Sequence, residues 1–212
     1  MIGDKLLIDD YHRSAAALIY HKLSLQLEHA EQAVTVTVAG ESGCGKSETA
    51  AVLAEICNGE GYKALILQQD DYFIYPPKTN HARRVEDINW VGPQEVQLDK
   101  IEANLEIIRE GGSVISKPLV DYERDHILQV TVPVEDVKVV IVEGTYTTLL
   151  KKVDLRAFID RDFRQTKKAR FARSRDPLTD FIEKVLLIEH EIISGHKQQA
   201  DLVIPPPEDE KR

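Results

Sequence analysis

A β-branched run at residues 33–38, "AVTVTV", leads directly into Gly40-Glu41-Ser42-Gly43-Cys44-Gly45-Lys46-Ser47. A helix-favouring segment, "KSETAAVLAEIC", follows, stopped by Asn58-Gly59. The loop has the spacing G-x-x-x-x-G-K-[ST], in which successive backbone N–H groups surround phosphate oxygens. Glycine permits the close approach, and the helix start adds free N–H groups and a partial positive charge. Gly40, Glu41, Ser42, Gly43, Cys44, Gly45, Lys46, Ser47 and Glu48 are therefore the nucleotide-binding candidates. Lys46 is placed to reach the β- and γ-phosphate oxygens, and Ser47 suits Mg²⁺. Strand, loop and helix must occur in this order for such a loop to work, and here they do.

The rest of the chain repeats the alternation. "KALIL" reads as a second strand and "SVIS" as a third. Residues 93–112 form a helix opened by Pro93 and closed by Gly111-Gly112. "ILQVTVPV" alternates with period two, as expected of a small side ribbon. "VKVVIVEG" is almost continuously apolar, the pattern of a central parallel strand. "RAFID" and "DLVIPP" supply two more strands. The expected fold is α/β: three layers around a mainly parallel five-stranded sheet, with a small side β-ribbon. Residues 1–32 form an N-terminal helical extension packed on the domain. Its helix spans 14–31 with Ser14 as N-cap, and a homodimer through it is the alternative. Residues 33–206 form the phosphate-loop domain, and 207–212 a solvated tail.

Composition narrows the function. A net charge of −9 over 212 residues argues against nucleic acid as a partner. The two cysteines, Cys44 and Cys57, have no metal-like spacing and suit a reducing cytoplasm. No run reaches membrane-spanning length, so no membrane partner is expected.

Three further constellations carry chemistry. Glu143 closes the central strand, where open parallel sheets present ligands, and could hold Mg²⁺ directly or through water. Asp70 and Asp71 follow the "ALIL" strand at the same edge, where a carboxylate could accept the proton of an attacking hydroxyl. Residues 161–175, "RDFRQTKKARFARSR", reverse the sign of the chain locally. Arg170 and Arg173, three apart on one helical face, are the candidates for a phosphoryl group in transit. The scattered histidines His12, His21, His29, His190 and His196 show no ligand spacing and read as ordinary surface or core residues.

Taken together, these motifs resemble the uridine kinase and phosphoribulokinase family of small-molecule kinases. "ILQQDDYF" is similar to its strand ending before an aspartate and two aromatics, and "PLVDYERDH" to its substrate segment. "VVIVEG" is similar to its metal-side strand, "RFARSRD" to its lid, and "KQQADLVIPP" to its last strand. The resemblance implies an ATP- and Mg²⁺-dependent kinase that phosphorylates an alcohol of a small metabolite. It casts Asp70 as base and metal-side carboxylate, Lys46, Arg170 and Arg173 as catalytic, and Ser47 and Glu143 as the remaining metal shell. A pantothenate-kinase-like register would favour Asp71 over Asp70. Tyr72, Asp121, Tyr122 and His126 fall in the acceptor region, and Arg83, Arg84 and Arg124 could serve an anionic acceptor or simply be solvated. A nucleotide-binding protein or switch without kinase activity is the competing class. Its GTPase form would need Asn-Lys-x-Asp, which the chain lacks. Three departures touch nucleoside recognition: Val91 replaces a ribose-binding aspartate, Val120 replaces a tyrosine, and the histidine that follows is displaced by one, at His126. Apolar side chains cannot replace hydrogen bonds to hydroxyls. Uridine should therefore be a modest acceptor in a steady-state assay of ADP release, and a micromolar KM for uridine would overturn that expectation.

Overall fold

The computed structural model describes residues 6–167, 170 and 179–210. Two strands set its frame. β1 (Val34–Gly40) and β5 (Val139–Glu143) are buried along their whole length, as strands covered on both faces must be. They pair in parallel. β2 (Ala64–Gln68) lies outside β5, while β6 (Leu155–Ile159) and β7 (Leu202–Ile204) extend beyond β1. The order is β2-β5-β1-β6-β7, with every pairing parallel.

Period-two alternation sends neighbouring side chains of each strand to opposite apolar layers. Val36 and Ile141 join Ile19, Leu23 and Leu53 beneath α1 (Asp10–Leu27) and α2 (Lys46–Gly59). Val140, Val142 and Phe158 join Ile101, Leu105 and Ile193 beneath α4 (Leu98–Arg109) and α5 (Asp180–Ile193). Register then aligns the functional ends: Val38 lies opposite Glu143, and Glu143 opposite Gln68.

Several boundaries differ from the sequence reading. α1 starts at Asp10 rather than at 14, because Asp9 and His12 form a reciprocal capping box: the Asp9 carboxylate accepts from the His12 N–H, and the His12 ring accepts from the Asp9 N–H. "SVIS" is not a strand of the main sheet. It opens β3 (Val114–Asp121), which pairs antiparallel with β4 (His126–Pro133) as a separate ribbon. Val114 and Ser116 are exposed while Ile115 is buried, a one-sided pattern unlike that of a covered parallel strand. Pro93 opens a 3₁₀ turn, and α4 itself begins at Leu98.

Between β2 and α4 lies α3 (Pro77–Glu86). Its first turn is capped from a distance: Asp125, at the β3–β4 tip, accepts from the N–H groups of Lys78 (2.6 Å) and Thr79 (3.2 Å). The ribbon tip is thereby fastened to α3.

α1 buries Ala15, Ala16, Ile19, Leu23 and Leu27 in the same layer as β1 and α2. Leu23→Ala should therefore destabilise the protein by about 3 kcal/mol, the usual cost of truncating a fully buried leucine. A urea titration measures this, and a change below about 0.5 kcal/mol would mark the helix as a surface appendage.

Candidate active site

The phosphate loop runs from Gly40, at the end of β1, to Lys46, at the start of α2. Gly43 (φ 76°) and Gly45 (φ 100°) adopt left-handed backbone, and each is tightly covered. A Cβ on Gly43 would lie 2.7 Å from Cγ of Arg170, and one on Gly45 would lie 2.5 Å from Nε2 of His12. The loop is thus packed by the lid segment on one side and α1 on the other. Lys46 Nζ donates to the Glu41 carbonyl at 2.8 Å, which curls the lysine over the loop. Cys44 is fully buried, and burial pushes its thiol pKa up, as befits an inert packing residue. Glu48 is buried in the first turn of α2, where its carboxylate accepts from the Leu7 N–H.

Glu41 is the loop's unexpected member. Its carboxylate is buried, accepts from the Phe163 N–H at 2.7 Å, and lies 2.7 Å from Nδ1 of His190 on α5. Phe163 and α5 therefore both grip the loop. Arg161 adds a third hold. Its guanidinium donates to the Cys44 carbonyl, pairs with Glu210 at 2.6 Å and lies 4.9 Å from the centroid of the Tyr11 ring. Within the tail expected to be solvated, Glu210 is anchored by this pair.

The carboxylates at the sheet edge divide sharply. Glu143 is almost fully buried and accepts from the Ser47 hydroxyl at 3.2 Å. Burial, reinforced by the nearby charge of Asp70, pushes its pKa up to about 7. Asp71 is also buried, but it faces the ribbon: its carboxylate takes Lys117 Nζ at 2.5 Å and the Val120 N–H at 3.0 Å. Asp70 is half-buried and lies on the Glu143 side. The adjacent aspartates thus part company: Asp71 is tied to the ribbon, and Asp70 lies near Glu143.

The acceptor-region candidates scatter. Tyr72 is fully buried in the core, its hydroxyl bonded to Asn104. Asp121 is buried at the ribbon end, accepting from the Arg124 N–H, with Tyr122 half-buried beside it. His126 pairs with Asp121 across the hairpin but is exposed, as are Arg83, paired with Glu86, and Arg124. Arg84 is committed: both ends of its fork meet Glu95 at 2.5 and 2.6 Å, and it reaches Glu189 at 3.1 Å. Arg170 packs on Gly43, with its guanidinium donating to the Phe163 carbonyl and the Thr166 hydroxyl. Arg173 lies outside the described residues.

Sequence reasoning passed over His12, His190, Glu95, Tyr146 and Glu189. A signal existed for two of them. Glu189 sits on the Val185–Ile193 stripe of α5 at four-residue spacing, and His12 extends the Ala15–Ile19–Leu23 stripe of α1, so each is polar where helical periodicity predicts burial.

A divalent cation fits this edge. Ser47 and Glu143 offer hard oxygen donors, and Glu143 carries a buried charge that a cation would relieve. Among the described residues no group of three or more His, Cys, Asp or Glu gathers to hold a metal. Mg²⁺ typically completes its shell with water and substrate phosphates.

An edge of this construction, a phosphate loop flanked by strand-end carboxylates of a parallel sheet, is that of a P-loop nucleotide-binding protein. The chain matches the Phosphoribulokinase / Uridine kinase family model over residues 35–207 and belongs to that family of small-molecule kinases. It is 26% identical over 204 residues to a bifunctional alpha-galactosidase/sucrose kinase of Mediterraneibacter gnavus, covering 89% of this chain but only 22% of that protein. It is 24% identical over 185 residues to a uridine kinase of Leuconostoc citreum, covering 81% of this chain and 87% of that one. Among solved structures, phosphoribulokinase from Rhodobacter spheroides superposes with a TM-score of 0.66 at 13% identity, covering 83% and 71% of the two chains. D-glycerate 3-kinase from Cryptococcus neoformans gives 0.58 at 13%, covering 89% and 88%. Both likenesses are of fold. No helix among the described residues is long and apolar enough to cross a membrane.

The raised pKa of Glu143 has a sign that can be checked. An acid whose folded pKa exceeds its unfolded one binds more protons when folded, so stability falls as pH rises from about 4.5 to about 7. In metal-free protein, Glu143→Gln should match wild type in thermal unfolding below about pH 4.5 and become the more stable form above about pH 7. An equal gap at both ends would assign the effect to packing.

Proposed function

We propose that the protein transfers the γ-phosphoryl group of ATP to an alcohol of a small metabolite, with Asp70 as the general base. The observation that carries this reading is the division of the adjacent aspartates: Asp71 is tied to Lys117 and Val120, while Asp70 lies beside Glu143 and the phosphate loop. An alcohol is a poor nucleophile at neutral pH, and a carboxylate that orients the hydroxyl and accepts its proton assists in-line attack. The acceptor oxygen bonds to the γ-phosphorus, the bond from that phosphorus to the β–γ bridging oxygen breaks, the hydroxyl proton passes to Asp70, and ADP leaves.

The backbone N–H groups of the loop bind and align the phosphates. Lys46 exchanges its bond to the Glu41 carbonyl for phosphate oxygens. Ser47, Glu143 and Asp70 would hold Mg²⁺, which supplies charge neutralisation between the β- and γ-phosphates when bound. Arg170, together with Arg173, serves the phosphoryl group from the lid side. The protein works as a cytoplasmic enzyme with nucleotide and small molecule as its partners. Relatives named for sucrose and for uridine support a kinase whose acceptor differs between members.

Asp70→Asn keeps size and hydrogen bonding but removes the base. It should lower acceptor-dependent ADP release about a hundredfold, a typical general-base effect, with nucleotide affinity little changed. Asp71→Asn should act on stability instead, because it leaves Lys117 buried without its counter-charge. Measuring turnover, nucleotide binding and urea midpoint on both variants separates the roles. An inactive, stably folded Asp71→Asn beside an active Asp70→Asn would reverse the assignment.

A further inference from the structure

Beside the Asp70–Glu143 edge lies a second polar cluster that the transfer chemistry leaves unused. Glu95 closes the 3₁₀ turn opened by Pro93, Arg84 projects from α3, and Glu189 from α5. Glu95 is fully buried and takes both ends of the Arg84 fork, with Asn80 donating to it as well. Glu189 takes the remaining Arg84 contact at 3.1 Å, and its side chain keeps 13% exposure. One guanidinium between two carboxylates leaves a net negative group. Tyr146 joins it three residues beyond Glu143, its backbone N–H held by Gln69, the residue before Asp70. The Tyr146 hydroxyl is buried with no hydrogen-bond partner, and after burial itself the charges of Glu189 and Glu95 do most to hold its pKa up. Lys46 is within electrostatic reach of Glu189, so the cluster borders the place where the γ-phosphoryl group would sit.

We propose that Glu189, oriented by Arg84 and Glu95, binds the hydroxyl groups of the acceptor, and that the acceptor is a neutral sugar or polyol. This rests on the kinase reading above and names its second substrate. Among the described residues, the cations of this wall are already paired: Arg84 with Glu95 and Glu189, Lys117 with Asp71, and Arg83 with Glu86. A carboxylate repels an anion, whereas it accepts charge-assisted hydrogen bonds from hydroxyls. The orphan Tyr146 hydroxyl offers a donor and an acceptor to the same ligand. A nucleoside fits less well, because Val91 and Val120 are buried and apolar.

The test is a panel of acceptors with ATP and Mg²⁺: D-glucose, D-fructose, sucrose and myo-inositol against D-glycerate, pantothenate, fructose 6-phosphate and uridine, read as ADP release. One neutral sugar or polyol should exceed every anion and uridine in kcat/KM by at least about tenfold, since a site built for hydroxyls rejects ligands that cannot use it. Glu189→Gln should raise the KM for that acceptor by about tenfold or more while the KM for ATP stays within about twofold, and Glu189→Asp should recover part of the loss. A preferred anion or uridine overturns the inference and leaves the kinase reading standing, as does a folded Glu189→Gln with unchanged acceptor KM. No ADP release from any acceptor, with nucleotide bound, overturns the kinase reading and this inference with it.

Discussion

A carboxylate buried at the end of a central strand is the constraint around which this protein is arranged. Glu143 lies between β1 and β2 in register, at 4% exposure, and its carboxylate accepts from the Ser47 hydroxyl at 3.2 Å. Burying an acid costs stability unless a partner or a cation offsets the lost hydration. The rise of its pKa is that cost expressed as proton affinity. An apolar residue would suit the strand better on packing grounds alone. The position makes sense as one prepared for a ligand that brings positive charge, and the phosphate loop alongside is prepared for one that brings negative charge.

The loop itself needs support, because free N–H groups and left-handed glycines do not hold a shape alone. Support comes from residues remote in sequence. Glu41 is held by Phe163 and His190, the Cys44 carbonyl by Arg161, and the Gly45 backbone is covered by His12. Arg161 in turn is held by Tyr11 near one end of the chain and Glu210 near the other. The family match begins at residue 35, so α1 lies outside it, yet α1 touches the most functional loop in the molecule. Pre-organisation of this kind lowers the ordering cost of binding phosphates.

What could be read from the sequence follows from how local each signal is. The glycine spacing at 40–47, the continuous apolar run of β5 and the stop at Asn58-Gly59 are contiguous patterns, and the parallel frame follows from them. The ribbon was half legible: β4 alternates cleanly, but β3 needs its partner before its exposed Val114 makes sense. The cap on α3 was not legible, since Asp125 arrives from about forty-five residues away and α3 itself carries little apolar signal. The site divided in the same way. Adjacent Asp70 and Asp71 are equivalent in the sequence, and only Lys117 and the Val120 N–H, both on the ribbon, separate them. Arg84 read as a free cation because its partners, Glu95 and Glu189, lie eleven and one hundred and five residues away.

That last pairing explains why donor and acceptor sides were unequally visible. Phosphates are recognised by backbone, and backbone recognition leaves a fixed spacing of glycines in the sequence. In the acceptor reading proposed above, recognition falls to side chains gathered from α3, the turn at Pro93, the end of β5 and α5, none of which needs a fixed spacing to the others. The same separation in sequence lets one fold keep its phosphoryl chemistry while its acceptor changes, because Arg84, Glu95 and Glu189 lie outside the Gly40–Ser47 motif. The wall that faces the acceptor is consequently where charge, rather than motif, has to be read. Here that charge is negative.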